Sequence, residues 1–156
     1  MRLTILAAAA LAGLSLAAPL AAQTDEDTIT AALKARQGFY NMLAANMGPL
    51  AGIARGDIAY DEAVARHAAE NLQALGRYDV TMHFIDGTSR DDLGAERTAA
   101  RPDIFANRDD FAAKLAGLRE ATAGAPDAVG DQRAVGALVG QIGGACKACH
   151  DSYRAN

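Results

Sequence analysis

The chain has 156 residues, is 51% hydrophobic and 22% charged, and carries a formal charge of −4 at pH 7. That length suits one domain with its own core, and the acidic balance excludes nucleic acid as a partner, since a row of phosphates calls for clustered lysine and arginine. Apolar residues recur at helical rather than alternating steps in an alanine-rich chain, so the expected fold class is all-α: an antiparallel four-helix bundle with a long crossover between helices 2 and 3.

The opening MRLTILAAAALAGLSLAAPLAA has a basic residue at Arg2, an apolar run from Leu3 and small residues leading to Ala22. This pattern predicts a secretory signal over residues 1–22, removed on export, with residues 23–156 as the folded domain. No later segment is long and apolar enough to span a bilayer, so no membrane contact is expected once the signal is gone.

A first helix is expected after Thr24, whose hydroxyl can cap backbone donors while Asp25, Glu26 and Asp27 favour the positive end of the helix dipole. It should stop at Gly56, with Ile29, Leu33, Tyr40, Ala44, Met47 and Ala51 near one face and Pro49 disturbing the last turns. A second helix begins near Asp61 and carries Val64, His67, Ala68, Leu72 and Leu75 inward, ending between Arg77 and Met82. Residues 84–106 have turn signals and no period, and read as a long ordered loop. Asn107 is the expected cap of a third helix bearing Phe111, Leu115 and Leu118, closed by GAPDAVGD. The last helix, from about Asp131 to Arg154, places Val135, Leu138, Val139, Ile142, Cys146, Cys149 and Tyr153 at three- and four-residue steps. Its glycines cost about 0.8–1 kcal/mol each relative to alanine, so packing must hold it helical.

Both cysteines of the chain lie in one stretch of that helix, Cys146-Lys-Ala-Cys149-His150. Three chemistries use such a pair. A thioredoxin-like dithiol wants its first cysteine at a helix N-terminus, where the dipole lowers the thiol pKa, and this pair sits near a helix C-terminal end. A structural zinc site needs four ligands, and no second knuckle accompanies this one, only the scattered His67 and His83, which have ordinary core or surface roles. Covalent haem attachment uses both thiols and ligates iron with the adjoining imidazole, and Cys-x-x-Cys-His is its signature. Export favours it further, because thioether bonds consume both sulfurs in a compartment where free dithiols oxidise.

Taken with RQGFYNMLAANMGPLAGIARGDIAYD in the first helix and turn, FIDGTS and TAARPDIF in the crossover, and GGACKACHDSYR at the end, the chain resembles the cytochromes c′ and their low-spin relatives. The resemblance implies one haem c on a four-helix bundle, anchored by Cys146 and Cys149 and ligated by His150. It implies that Arg36 and Gln37 approach the haem propionates and that Arg154, four residues after His150, shares the ligand's helix face. It places Tyr40 on the open side of the iron, where relatives with methionine are six-coordinate and low-spin. Neutral tyrosine is a poor ligand, so a five-coordinate, high-spin iron is expected. Met42 and Met47 are the rival ligands, Met42 pointing away from Tyr40 and Met47 standing nearly two turns along the helix, about 10 Å. Phe84 and Phe105 are candidates for covering a haem edge. The implied roles are periplasmic transfer of single electrons to an unidentified redox partner, or binding of a gas such as NO or CO, with no enzyme constellation evident. The family also forms homodimers through its first two helices, and AANMGPLAG is small and apolar enough to permit close contact.

Overall fold

The computed structural model describes residues 17–156, with side chains described from Asp25 onward; the expected signal over residues 1–22 lies mostly outside these residues. Six α-helices occur among them: α1 (Ala17–Arg55), α2 (Glu62–Gly76), α3 (Arg90–Leu93), α4 (Asp103–Ala106), α5 (Arg108–Thr122) and α6 (Gln132–Tyr153). The four long ones form the bundle. Helix α1 packs on α2 and α6, and α5 packs on the same two from the far side. At the centre Leu50, Ile53, Leu72, Val135 and Ile142 are fully buried. Each such aliphatic side chain contributes about 1.5–3 kcal/mol on leaving water, which holds the glycine-bearing α6 helical against its weak propensity. No described helix is long and apolar enough to cross a membrane.

The ends of the long helices follow local chemistry. Asp61 and Asp131 cap α2 and α6 by accepting from the backbone N–H of Val64 and Ala134. Gly56 ends α1 with φ +80, a left-handed conformation that glycine adopts without a Cβ penalty. Helix α1 nevertheless begins at Ala17 and runs through Thr24, because the alanine-rich residues ahead of Thr24 are themselves good helix formers, so Thr24 is not its cap. It also continues through Pro49 to Arg55.

Three other expectations are corrected. The core stripe of α1 is Ala32, Leu33, Arg36, Phe39, Leu43, Leu50 and Ile53, while Ala44 is exposed, because this helix has a second apolar side turned to a cavity rather than to the core. In α2, Val64 and His67 face solvent and Ala65, Ala68, Ala69 and Leu72 face inward. Small side chains let α2 approach its neighbours closely, and a reading weighted to large apolar residues misplaces the stripe by one position. Asn107 does not cap α5 with its side chain, which is spent on closing α4 by donating to the Asp103 carbonyl at 3.1 Å. Asp109 and Asp110 in the first turn of α5 complement the dipole instead.

The crossover is more regular than a loop. A 3-10 turn at Val80–His83 is followed by α3, which starts with a reciprocal Ser89–Asp92 capping box, and by α4. Its far end runs beside the C-terminus: Ala155 N donates to the Ala99 carbonyl at 2.8 Å and Arg101 N to the Tyr153 carbonyl at 3.0 Å. Thr98 to Ala100 are thereby held beside the end of α6.

Where α2 meets α5, a Cβ on Gly76 would come within 2.1 Å of Thr122 Oγ1. That hydroxyl is fully buried and donates to the Leu118 carbonyl, so it cannot turn aside without losing a hydrogen bond. Gly76→Ala is expected to destabilise the protein by about 1–3 kcal/mol, read as a lower urea midpoint with unchanged m-value.

Candidate functional site

Between α1, α5, α6 and the crossover lies a cavity of about 560 Å³ whose wall includes all seven residues singled out from the sequence: Arg36, Gln37, Tyr40, Cys146, Cys149, His150 and Arg154. Helix periodicity brings Cys146, Cys149 and His150 together. Cys149 and His150 follow Cys146 by three and four residues, about one turn of α6, and the helix ends at Tyr153. Arg154 therefore does not share a helix face with His150; it is the extended C-cap residue, tied by its N–H to the His150 carbonyl at 3.2 Å. The crossover backbone pairs with it there, through Ala100, and pulls the chain out of the helix. It still reaches the cavity rim. His150 also borders a polar recess of about 410 Å³ with Arg101, Asp151 and Arg154.

The donor set has a consistent electrostatic character. Burial pushes both thiols up, Cys149 to about 11 with the adjacent Cys146 adding to the effect. Thiols held protonated are poor nucleophiles in dithiol exchange, which argues against a redox disulfide pair. Partial burial, then the Arg154 charge, lowers the His150 imidazole, favouring the neutral form that ligates metal. Among the described residues no cluster of three or more His, Cys, Asp or Glu side chains could hold a metal ion by itself.

Arg36 is the unusual member. It is only 3% exposed, and its guanidinium donates to Thr88 Oγ1 at 3.1 Å, the Thr88 carbonyl at 2.7 Å and Thr98 Oγ1 at 3.0 Å, with the Phe84 ring 4.8 Å below it. Every acceptor is a neutral oxygen, and burial lowers its pKa. A cation placed this way leaves its charge uncompensated on the cavity side, where Arg154 adds another, while Lys114 is paired with Asp110 at 3.9 Å. Gln37 is exposed at the rim and donates to the Arg97 carbonyl at 2.9 Å.

Tyr40 lines the wall contributed by α1, its ring edge-on to Phe39 at 5.1 Å. Burial first, and Cys149 next, hold its phenol above its ordinary pKa, so the hydroxyl stays neutral. Neither rival reaches the cavity: Met42 is 51% exposed on the outer surface, and Met47 packs against the core. Of the two phenylalanines, Phe84 lines the cavity and Phe105 does not, because Phe105 lies under the Arg108 guanidinium at 5.4 Å.

Sequence reasoning missed the rest of the lining, above all Leu43, Ile104, Phe111, Leu115 and Leu118, together with Lys114. For Leu43, Phe111, Leu115 and Leu118 the signal was ordinary helical periodicity, which marks a buried residue without saying whether protein or ligand buries it; Ile104, in the segment without a period, gave none. Thr88 and Thr98, the partners of Arg36, stand in the quoted stretches FIDGTS and TAARPDIF without having been given a role. The residues present suit a flat apolar macrocycle with acidic substituents. The volume falls within the roughly 300–1,000 Å³ of cofactor pockets, the walls are aliphatic and aromatic, cations stand at the edge, and two thiols and an imidazole share one side.

Comparison with known proteins agrees with this geometry. The family model described as Cytochrome C′ matches residues 31–154. A cytochrome c′ of Cereibacter sphaeroides is 40% identical over 123 residues, covering 78% of this chain and 81% of the relative. A solved cytochrome c′ structure from Rhodobacter has a TM-score of 0.77 at 37% identity, covering 82% of this chain and 98% of its own. The nitric oxide complex of a cytochrome c prime variant from Alcaligenes xylosoxidans has a TM-score of 0.68 at 29% identity, covering 82% of this chain and 96% of its own.

Proposed function

The chain belongs to the cytochrome c′ family and is a c-type haem protein, and from that premise we propose that Cys146 and Cys149 anchor the haem as thioethers while His150 ligates its iron. Bound there, haem c supplies one-electron exchange and an open coordination position. The chain's own residues decide how that position is used. Arg36 and Arg154 neutralise the propionates, with Gln37 hydrogen-bonding beside them. Leu43, Phe84, Phe111 and Leu118 exclude water from the ring. Tyr40 would present a neutral phenol, a poor ligand, on the α1 wall of the cavity and so would not ligate the iron.

The protein is thus read as a five-coordinate, high-spin haem protein that binds small gases such as NO and CO and exchanges single electrons with a periplasmic partner, and not as an enzyme. One observation carries this reading: the cavity wall contributed by α1 presents Tyr40, while Met42 and Met47 stand outside the cavity. The same geometry disfavours a six-coordinate His/Met carrier. The structural relative seen as a nitric oxide complex lends support. Export with loss of residues 1–22 belongs to the same reading. So does a homodimer, for which α1 and α2 leave Met42, Ala45, Gly48 and Val64 exposed for a second copy.

Ferric and ferrous absorption spectra of natively matured protein, with and without NO or CO, test the proposal. A high-spin spectrum that changes promptly on adding either gas is expected. A low-spin spectrum indifferent to both would overturn the role given to Tyr40 and restore a methionine ligand.

A further inference from the structure

The four tyrosines of the chain differ in what receives their hydroxyl proton. Tyr60 donates to the Val129 carbonyl at 2.7 Å, and Tyr153 to the Asp110 carboxylate at 2.6 Å. Tyr40 faces the cavity, with no hydrogen bond to another described residue. Tyr78 alone meets an imidazole: its Oη lies 2.5 Å from His83 Nε2, and the two rings stack at 5.9 Å with an interplanar angle of 20°. Tyr78 is also 47% exposed, so the pair sits at the protein surface.

A continuous line of rings joins this pair to the cavity. Tyr40 on the cavity wall is edge-on to Phe39 at 5.1 Å, and Phe39, 3% exposed, lies 5.8 Å from Tyr78 at a tilt of 33°. Phenylalanine resists oxidation, but its π system bridges the two phenols. A phenol loses an electron readily only when its proton has somewhere to go. Unlike the exchange with the Asp110 carboxylate at Tyr153, the contact at Tyr78 is with a neutral ring nitrogen at a half-exposed site, where an imidazole can take up a proton and share it with solvent.

We propose that Tyr40, Phe39 and Tyr78 form a route by which oxidising equivalents leave the haem cavity, and that the Tyr78–His83 pair is its terminus, a proton-coupled redox site. The inference rests on the reading that haem c occupies the cavity. The oxidant is hydrogen peroxide acting on the ferrous protein. Tyr78 gives one electron through Phe39 and Tyr40, and its hydroxyl proton passes to His83 Nε2, which accepts when the imidazole carries its own proton on Nδ1. The second electron would come from the ferrous haem that the cavity is read to hold, leaving it ferric. With two protons from solvent, the peroxide O–O bond breaks and two waters form. Tyr78 is left as a neutral phenoxyl radical beside an imidazolium, close enough to the surface to be reduced again by a soluble thiol or phenol. The cavity lining is thereby spared oxidation.

Electron paramagnetic resonance on ferrous protein mixed with hydrogen peroxide and frozen tests this, with the haem absorption recorded before and after. The wild type is expected to give a tyrosyl signal. Tyr78→Phe should lose most of that signal and bleach its haem faster, and His83→Gln should lower the radical yield while leaving the starting haem spectrum unchanged. A coloured wild type that gives no tyrosyl signal, or a signal that survives Tyr78→Phe and vanishes in Tyr153→Phe, overturns the route. A yield unaffected by His83→Gln overturns the proton acceptor. Protein that matures colourless sinks the underlying haem reading instead, and this proposal with it.

Discussion

Cys146→Ala combined with Cys149→Ala is expected to yield a protein without covalent haem, seen as loss of the haem mass increment in denatured mature protein and of the visible spectrum after acid extraction. Thioether formation needs both sulfurs on the side of the helix that faces the macrocycle, and a three-residue step on α6 puts them there, with His150 a further residue on. The sulfurs add little to the folded core of the unloaded chain, since both are only partly buried and neither is in a disulfide. The bundle should therefore remain helical by circular dichroism while colour is lost, and this pairing of results separates attachment from folding. Either single substitution should leave one thioether, which keeps the haem and its mass increment on the chain under denaturing conditions. A double variant that kept the full mass increment would show that the group is held elsewhere.

Arg36→Met is expected to cost about 2–4 kcal/mol of stability, the second large effect. A hydrogen bond from a charged donor contributes roughly 1.5–3 kcal/mol, and Arg36 makes three to two residues of the crossover. These bonds act as a unit, so their sum is an upper limit. Methionine keeps an unbranched stem over Phe84 but leaves the Thr88 carbonyl, in a fully buried residue, without its guanidinium partner. Relief of the buried charge offsets part of the loss. The check is twofold: a lower urea midpoint, and faster hydrogen exchange in residues 88–98, which Arg36 holds against α1. Unchanged exchange there would mean that the crossover is fixed by its own capping box and by the C-terminal pairing. Because the same cation faces the cavity, haem is expected to be oriented less uniformly in this variant.

Much of this protein could be read before any fold was known. Cys-x-x-Cys-His is local chemistry, complete within five residues, and the helix that carries it follows from apolar residues at three- and four-residue steps. The caps at Asp61 and Asp131 and the stop at Gly56 are equally local, because each depends on a side chain or a φ angle within one turn. The failures have a common cause. Val64 and Ala44 look like core residues by periodicity, yet the inward face of α2 is set by alanines that allow close approach, and Ala44 belongs to the side of α1 turned to the cavity. The segment 84–106 shows no period, yet it contains α3 and α4, whose few residues are held by capping and by the C-terminus rather than by a stripe.

Helix content, the order of the long helices and the attachment chemistry were determined by the sequence alone, since each arises from neighbours within a turn or two. Only the tertiary structure decided that Arg36 is buried against two threonines 52 and 62 residues away, that Met42 is outside the cavity while Tyr40 lines it, and that Tyr78 meets His83 at the end of a line of rings. Those facts depend on how four helices rotate about their axes as they pack. A rotation of one residue, about 100°, exchanges a cavity wall for a surface, and long-range packing sets that angle.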